Sequence, residues 1–140
     1  MDLEGALAFA RPRHWGVLAT VRRDGRPQLS NIGYSLGDDD LVRISVTDSR
    51  AKTKNLRRDR RATLYVPGDT FWQYLVLDGE AELSPVAGAQ DDATVDELVS
   101  YYRAVQGEHP DWDEFRADMV AEGRLVIRLR ATHAYGMLGN

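Results

Sequence analysis

Residues 14–36 read HWGVLATVRRDGRPQLSNIGYSL, and the middle of this stretch decides the fold. Asp24-Gly25 lies between two runs rich in β-branched and aromatic residues, and both positions tolerate the positive φ of a type I′ turn. The first run puts Trp15, Val17, Ala19 and Val21 on one face and Leu18 and Thr20 on the other, the period of two that marks a strand. The return run carries Gln28, Ser30 and Asn31, where an ordinary strand would alternate apolar residues. The reading is a hairpin whose second strand is unusually polar.

Working outward, LEGALAFA (3–10) reads as a short helix ended by Arg11-Pro12. GDDD (37–40) turns the chain into a strand LVRISVT, and RATLYVPG supplies another, broken by Pro67-Gly68. The longest alternation is WQYLVLDGEAELS (72–84), with Leu75, Leu77, Ala81 and Leu83 opposed to Tyr74, Val76, Glu80 and Glu82. A helical hairpin is predicted from about Ala93 to Glu122. Thr94-x-x-Glu97 and Asp111-x-x-Glu114 read as capping boxes, Val95, Leu98, Val99, Tyr102 and Val105 form one stripe, Trp112, Phe115 and Met119 another, and Gly123 is the C-cap. RLVIRLRATHAYGML closes as the last strand. The expectation is mainly β, in the α+β class: about six antiparallel strands, consecutive ones adjacent, as a small barrel with the helical hairpin inserted before the last strand. Side chains fill so small a barrel, so ligands bind outside it, at its rim or between subunits.

Composition limits the chemistry. With 140 residues, 43% hydrophobic and 29% charged, the chain reads as one domain over 1–140. The absence of cysteine excludes disulfides, thiolate metal sites and a cysteine nucleophile, so redox chemistry must come from a cofactor. His14, His109 and His133 lack ligand spacing, and no metal is expected. The opening MDLEGALAFARPRHW has neither the basic start of a signal peptide nor the length of a membrane span, which predicts a cytoplasmic protein without membrane partners. A net charge of -4 argues against a dedicated nucleic-acid binder.

Against that acidity stands SRAKTKNLRRDRRA (49–62), in which seven Lys or Arg residues occupy positions 50–61. It reads as a short helix starting near Arg50, capped by Asp48 or Ser49, with Arg50, Lys54, Arg57, Arg58 and Arg61 on one side. Its start combines free N–H groups with Arg50, Lys52 and Thr53, a set suited to a phosphate. A solvated helix face is the plainer reading, but like charges four residues apart repel. RNA fits less well, because the run has no interleaved aromatics for base stacking.

Taken together, GVLATVRRDGRPQLSNIGY, RAKTKNLRRDRRATLYV and WQYLVLDGEAELSP resemble the pyridoxamine 5′-phosphate oxidase-like flavin-binding proteins, whose fold is the FMN-binding split β-barrel. GEHPDWDEFRADMV and HAYG are similar to the actinobacterial branch that binds the deazaflavin coenzyme F420. The resemblance spans residues 14 to 138 and implies a homodimer with cofactor sites at the subunit interface. By that resemblance, Arg50, Lys52 and Thr53 match phosphate-binding positions, flanked by Lys54 and Asn55. Gln28, Ser30 and Asn31 match the strand along the cofactor's ring, Val46 packs near the ring, and Trp72 and Tyr74 are aromatics at the pocket edge. His133 lies in a segment close to the pocket.

The resemblance therefore implies an oxidoreductase using coenzyme F420 for hydride transfer to a conjugated small-molecule substrate, with the cofactor carrying the hard step and no protein nucleophile required. No residue stands out as a general acid. Arg57 and Arg58, with Arg60 and Arg61, are expected to meet the oligoglutamate tail that F420 has and FMN lacks. The alternatives are an FMN-binding oxidoreductase of the same family and a non-catalytic F420 or flavin binding or storage protein.

Overall fold

A computed structural model describes residues 1–139. Four helices and seven strands follow in the order α1 (Leu3–Ala10), β1 (Trp15–Val21), β2 (Pro27–Gly33), β3 (Ser35–Leu36), β4 (Leu41–Thr47), α2 (Ala51–Arg58), β5 (Arg61–Pro67), β6 (Tyr74–Leu83), α3 (Ala93–Gln106), α4 (Trp112–Ala121) and β7 (Arg124–Met137). The strands form one antiparallel sheet in the order β2-β1-β5-β6-β7-β4-β3. The segment expected as one strand, PQLSNIGYSL, is thus two, and β4 and β5, consecutive strands expected as neighbours, pair instead with β7 and β1.

That order dictates a barrel. Strands β2 and β3 occupy the two ends of the sheet, yet only Tyr34 separates them in the chain. One residue spans at most about 3.6 Å, so the sheet must curl until its edges meet. Leu18, Leu64, Leu75, Leu77, Leu125, Ile127 and Leu129 fill the interior. Opposite ends are closed by α1, through Ala6, Leu7 and Ala10, and by α2, through Leu56. Buried Tyr34 donates its hydroxyl to Ala10 O at 2.7 Å, fastening the crossover to α1.

The helical hairpin α3–α4 covers the outside of β4 and β7. A second, smaller core joins Val95, Leu98, Val99, Phe115 and Met119 to Val126. Asp92, not Thr94, caps α3, accepting from Val95 N, while the Thr94 hydroxyl donates to Pro85 O. Asp111 caps α4 as expected, and Gly123 follows that helix with φ 64°. Glu97, freed from any capping box, accepts from Arg43 Nε at 2.7 Å and Arg128 Nη2 at 2.6 Å, tying α3 to both strands. No helix among the described residues is long and apolar enough to cross a membrane.

Candidate functional site

The barrel is incomplete at one seam. Pairing of Ser35 with Arg43 sets a register in which Gly33 would next stand opposite Ser45, and Asn31 opposite Thr47. Hydrogen-bonded and non-bonded pairs alternate along an antiparallel ladder. His14 with Tyr34 and Arg22 with Arg26 are bonded pairs, so Gln28, Ser30 and Ile32 bond to β1, whereas the amides of Leu29, Asn31 and Gly33 face the seam. By the same alternation from Asp48 with Gly123, Ser45 and Thr47 face it from β4.

Instead of closing on each other, these edges are held apart. The Tyr101 hydroxyl donates to Gly33 O at 2.8 Å and lies beside the backbone of Ser45. It stands where a ladder bond from Ser45 to Gly33 would lie. Burial raises the Tyr101 phenol, partly opposed by the Ser45 contact and the Arg124 charge. Below it, Thr47 O accepts from the Thr53 hydroxyl at 2.8 Å and from Arg50 N. The result is a slit edged by β2 and β4, with α2 at its foot.

Positive charge collects beside that foot. Helix α2 starts after Arg50 with no side-chain cap, contrary to the expected role of Asp48 or Ser49. Arg50 and Lys52 have no carboxylate partner among the described residues. Lys52 is held below the usual lysine range by burial and by the charges of Arg50 and Arg124. Arg124, paired with Glu122, faces this cluster from β7 and was not singled out by sequence, being about seventy residues downstream.

The other anticipated residues divide into separate groups. Thr53 is fully buried and its hydroxyl serves Thr47, so it fixes α2 rather than offering a side chain to an anion. Asn55 is buried, donating to Thr20 Oγ1 at 3.1 Å; Thr20 in turn donates to Gln28 Oε1 at 3.3 Å, and the Gln28 amide donates to Ser30 Oγ at 3.0 Å. This relay connects α2 to the polar strand. Thr20→Val should leave the buried Asn55 amide without its acceptor and lower stability by about 1–3 kcal/mol, measurable by urea unfolding; an unchanged midpoint would show the relay to be idle.

Val46 is 1% exposed and sits in the barrel core, because only odd-numbered residues of β4 face outward; its side chain is not at the slit. Arg57 and Arg58 are engaged within the chain: Arg57 pairs with Asp48, and Arg58 donates to Val21 O and Asn55 Oδ1. Arg60 donates to Ala81 O, and Arg61, which lies on β5, pairs with Asp59. The expected one-sided cluster is therefore dispersed, leaving Lys54 as an exposed cation without an ion pair.

Asn31 points to the opposite face from Gln28 and Ser30. It begins a row running directly across five strands, through Val17, Tyr65 and Val76 to Tyr135. Tyr74 stacks on Tyr65 beside this row, and His133 stands opposite Asp78 on the same face. Trp15, Leu29 and Trp72 are 64%, 62% and 76% exposed around it, an apolar area larger than scattered surface residues would give.

A curled antiparallel sheet, split between β2 and β4 and carrying a cationic foot, defines the split-barrel class. The family model described as pyridoxamine 5′-phosphate oxidase matches residues 4–138, and the chain belongs to that family. Among solved structures, an F420 reductase is 25% identical, covering 96% of this chain and 97% of its own, with a TM-score of 0.70. A conserved hypothetical protein from Mycobacterium tuberculosis is 21% identical over 100% of this chain and 93% of its own, with a TM-score of 0.72. A FAD-binding protein from Mesorhizobium loti is 16% identical over 96% and 90%, with a TM-score of 0.66.

Proposed function

We propose that the protein is an oxidoreductase that binds coenzyme F420 in the slit and uses it to reduce a conjugated organic substrate. The observation carrying this reading is the pair of cations without carboxylate partners, Arg50 and Lys52, at the uncapped start of α2. Such a start offers N–H donors and a positive dipole end to a phosphate. The donor set fits: cations at the foot and, along the β2 edge, backbone groups of Leu29 and Asn31 for the polar rim of a flat ring. When bound, a deazaflavin supplies hydride chemistry that the cysteine-free chain lacks. The residues bind and orient it, and Tyr101 keeps the slit from zipping shut.

The apolar outer face is proposed to receive a second copy of the chain. Trp72, Tyr74, Asn31 and His133 would then line a site shared between subunits, which accounts for their lying away from the slit within one subunit. Similarity to the F420 reductase favours F420; the family match favours FMN as the second reading.

Paired titrations of cofactor-free protein with F420 and with FMN, followed by tryptophan fluorescence, decide between them. F420 is expected to bind at least tenfold more tightly, and sedimentation velocity is expected to give a dimer. Tighter FMN binding would replace the deazaflavin assignment, and binding of neither would remove the cofactor role of the slit.

A further inference from the structure

Beside the slit, and sharing Ser45 and Tyr101 with it, lies a second concavity. It is a cleft of about 340 Å³ between the helical hairpin and the outside of β4 and β7. This is within the range of small-molecule sites. Tyr102, with the largely buried Leu98, Phe115 and Met119 around it, forms its apolar wall, and Ser45, Tyr101, Gln106, Glu122 and Arg124 supply its polar part. Tyr102 and Phe115 meet edge to face with centroids 5.1 Å apart, so the wall is aromatic and preorganised.

The two ends differ in a way that selects a ligand. Arg124 reaches Ser45 Oγ with Nη1 at 3.4 Å, while its Nε and Nη2 engage Glu122. Lys52 lies close enough for the Arg124 charge to act on it, and Arg50 adds a third positive charge. Within the cleft Arg124 is balanced by Glu122, so the excess positive charge at this end comes from Lys52 and Arg50, which lie beyond the lining. Ser45 and Tyr101 also link the cleft to the slit, since both line the cleft and the Tyr101 hydroxyl donates to Gly33 O on β2. A molecule seated in the cleft would thus have its charged end at the slit's border.

We propose that this cleft is a binding site for a flat aromatic or conjugated organic anion, its body against Tyr102, Phe115 and Met119 and its carboxylate at Arg124. Its role as the site of the hydride-accepting substrate rests on the reading of the slit as the cofactor site; binding itself does not. The apolar wall supplies area for the body, and the guanidinium at the polar end rewards negative charge.

The test uses full-length, cofactor-free protein and the probe 2-naphthoate, with 2-naphthylmethanol as its neutral counterpart, by calorimetric titration. Naphthoate is expected to bind at least tenfold more tightly than the alcohol, and Arg124→Gln to abolish that preference. Met119→Trp, which fills the cleft, should eliminate both without altering F420 affinity beyond twofold. Because that variant would be uninformative if it misfolded, the Met119 methyl signal of the wild-type protein is followed as well, and it should shift with naphthoate. Equal binding of acid and alcohol, a preference surviving Arg124→Gln, or an unmoved Met119 signal would overturn the proposal. If F420 fails to bind while naphthoate behaves as expected, the cofactor reading falls and the cleft stands as a separate anion site.

Discussion

Replacing Arg50 and Lys52 together with glutamine should lower affinity for coenzyme F420 by about 10²- to 10⁴-fold. Hydrogen bonds to charged groups contribute about 1.5–3 kcal/mol each, and the two cations have no competing carboxylate that would offset their loss. Two such bonds amount to roughly 3–6 kcal/mol, with every 1.4 kcal/mol a factor of ten. Wild-type affinity should weaken as salt rises, and the double variant should show a flatter dependence. It should also fall as pH rises through the depressed pKa of Lys52: burial and the charges of Arg50 and Arg124 favour the neutral amine in the free protein, and only the ammonium form rewards a phosphate. The contrasting variant, Arg57, Arg58 and Arg61 all to glutamine, should change affinity only a few-fold, since these side chains already serve Asp48, Val21 O, Asn55 and Asp59. Fluorescence titration of both variants at two salt concentrations separates the accounts. Equal losses would return the acidic tail to the arginines of α2 and its exit; no loss in the double variant would move the phosphate elsewhere.

Local chemistry explains what was legible in the sequence. The hairpin at Asp24-Gly25, α1 over residues 3–10 and the alternation of β6 follow from turn propensity and apolar period, and the structure contains them, but the turn is a three-residue loop, 23–25, in which Gly25 (φ 86°) and not Asp24 has positive φ, rather than the expected type I′ turn. Strand order did not follow, because the β1–β5 and β4–β7 pairings join residues tens of positions apart. The site divides along the same line. Cations at the start of α2 are contiguous, so composition alone marked them. Arg124 and Tyr101 are isolated residues on a strand and a helix, with no local pattern to distinguish them. Thr53, Asn55 and Val46 were placed in the ligand set by resemblance to the family, yet helix and strand periodicity turns their side chains inward. The one-sided arginine cluster is dispersed for a related reason: charge is visible in sequence, whereas the partner that neutralises it is visible only in the fold.

The same distinction makes Glu97 the most consequential acid outside the slit. Its side chain is 14% exposed and it accepts from Arg43 and from both Nε and Nη2 of Arg128. Removing one member of a buried pair costs about 3–5 kcal/mol. Because Arg43 retains Asp39 and Arg128 retains Glu82, Glu97→Ala should lie below that range, at about 2–3 kcal/mol. For a chain of this size that corresponds to a fall in Tm of roughly 10 °C. Burial pushes the Glu97 carboxyl up, but hydrogen bonds from Arg128 and Arg43 more than offset it, and its pKa lies below the ordinary value. A depressed folded pKa means the contribution is complete above the unfolded value of about 4.3 and is lost as pH falls through the folded one. The stability gap between wild type and Glu97→Gln should therefore be widest near neutrality and narrow in acid. Asp39, held at about 2 chiefly by its hydrogen bond from Arg43, keeps part of the network ionised through that window. Denaturant unfolding of both proteins between neutral and acid pH measures the gap. If it stayed constant, Glu97 would be acting by shape alone. If the gap narrows, the charge of Glu97 is what fastens the helical hairpin to the barrel, and with it the Tyr101 hydroxyl between the edges of the slit.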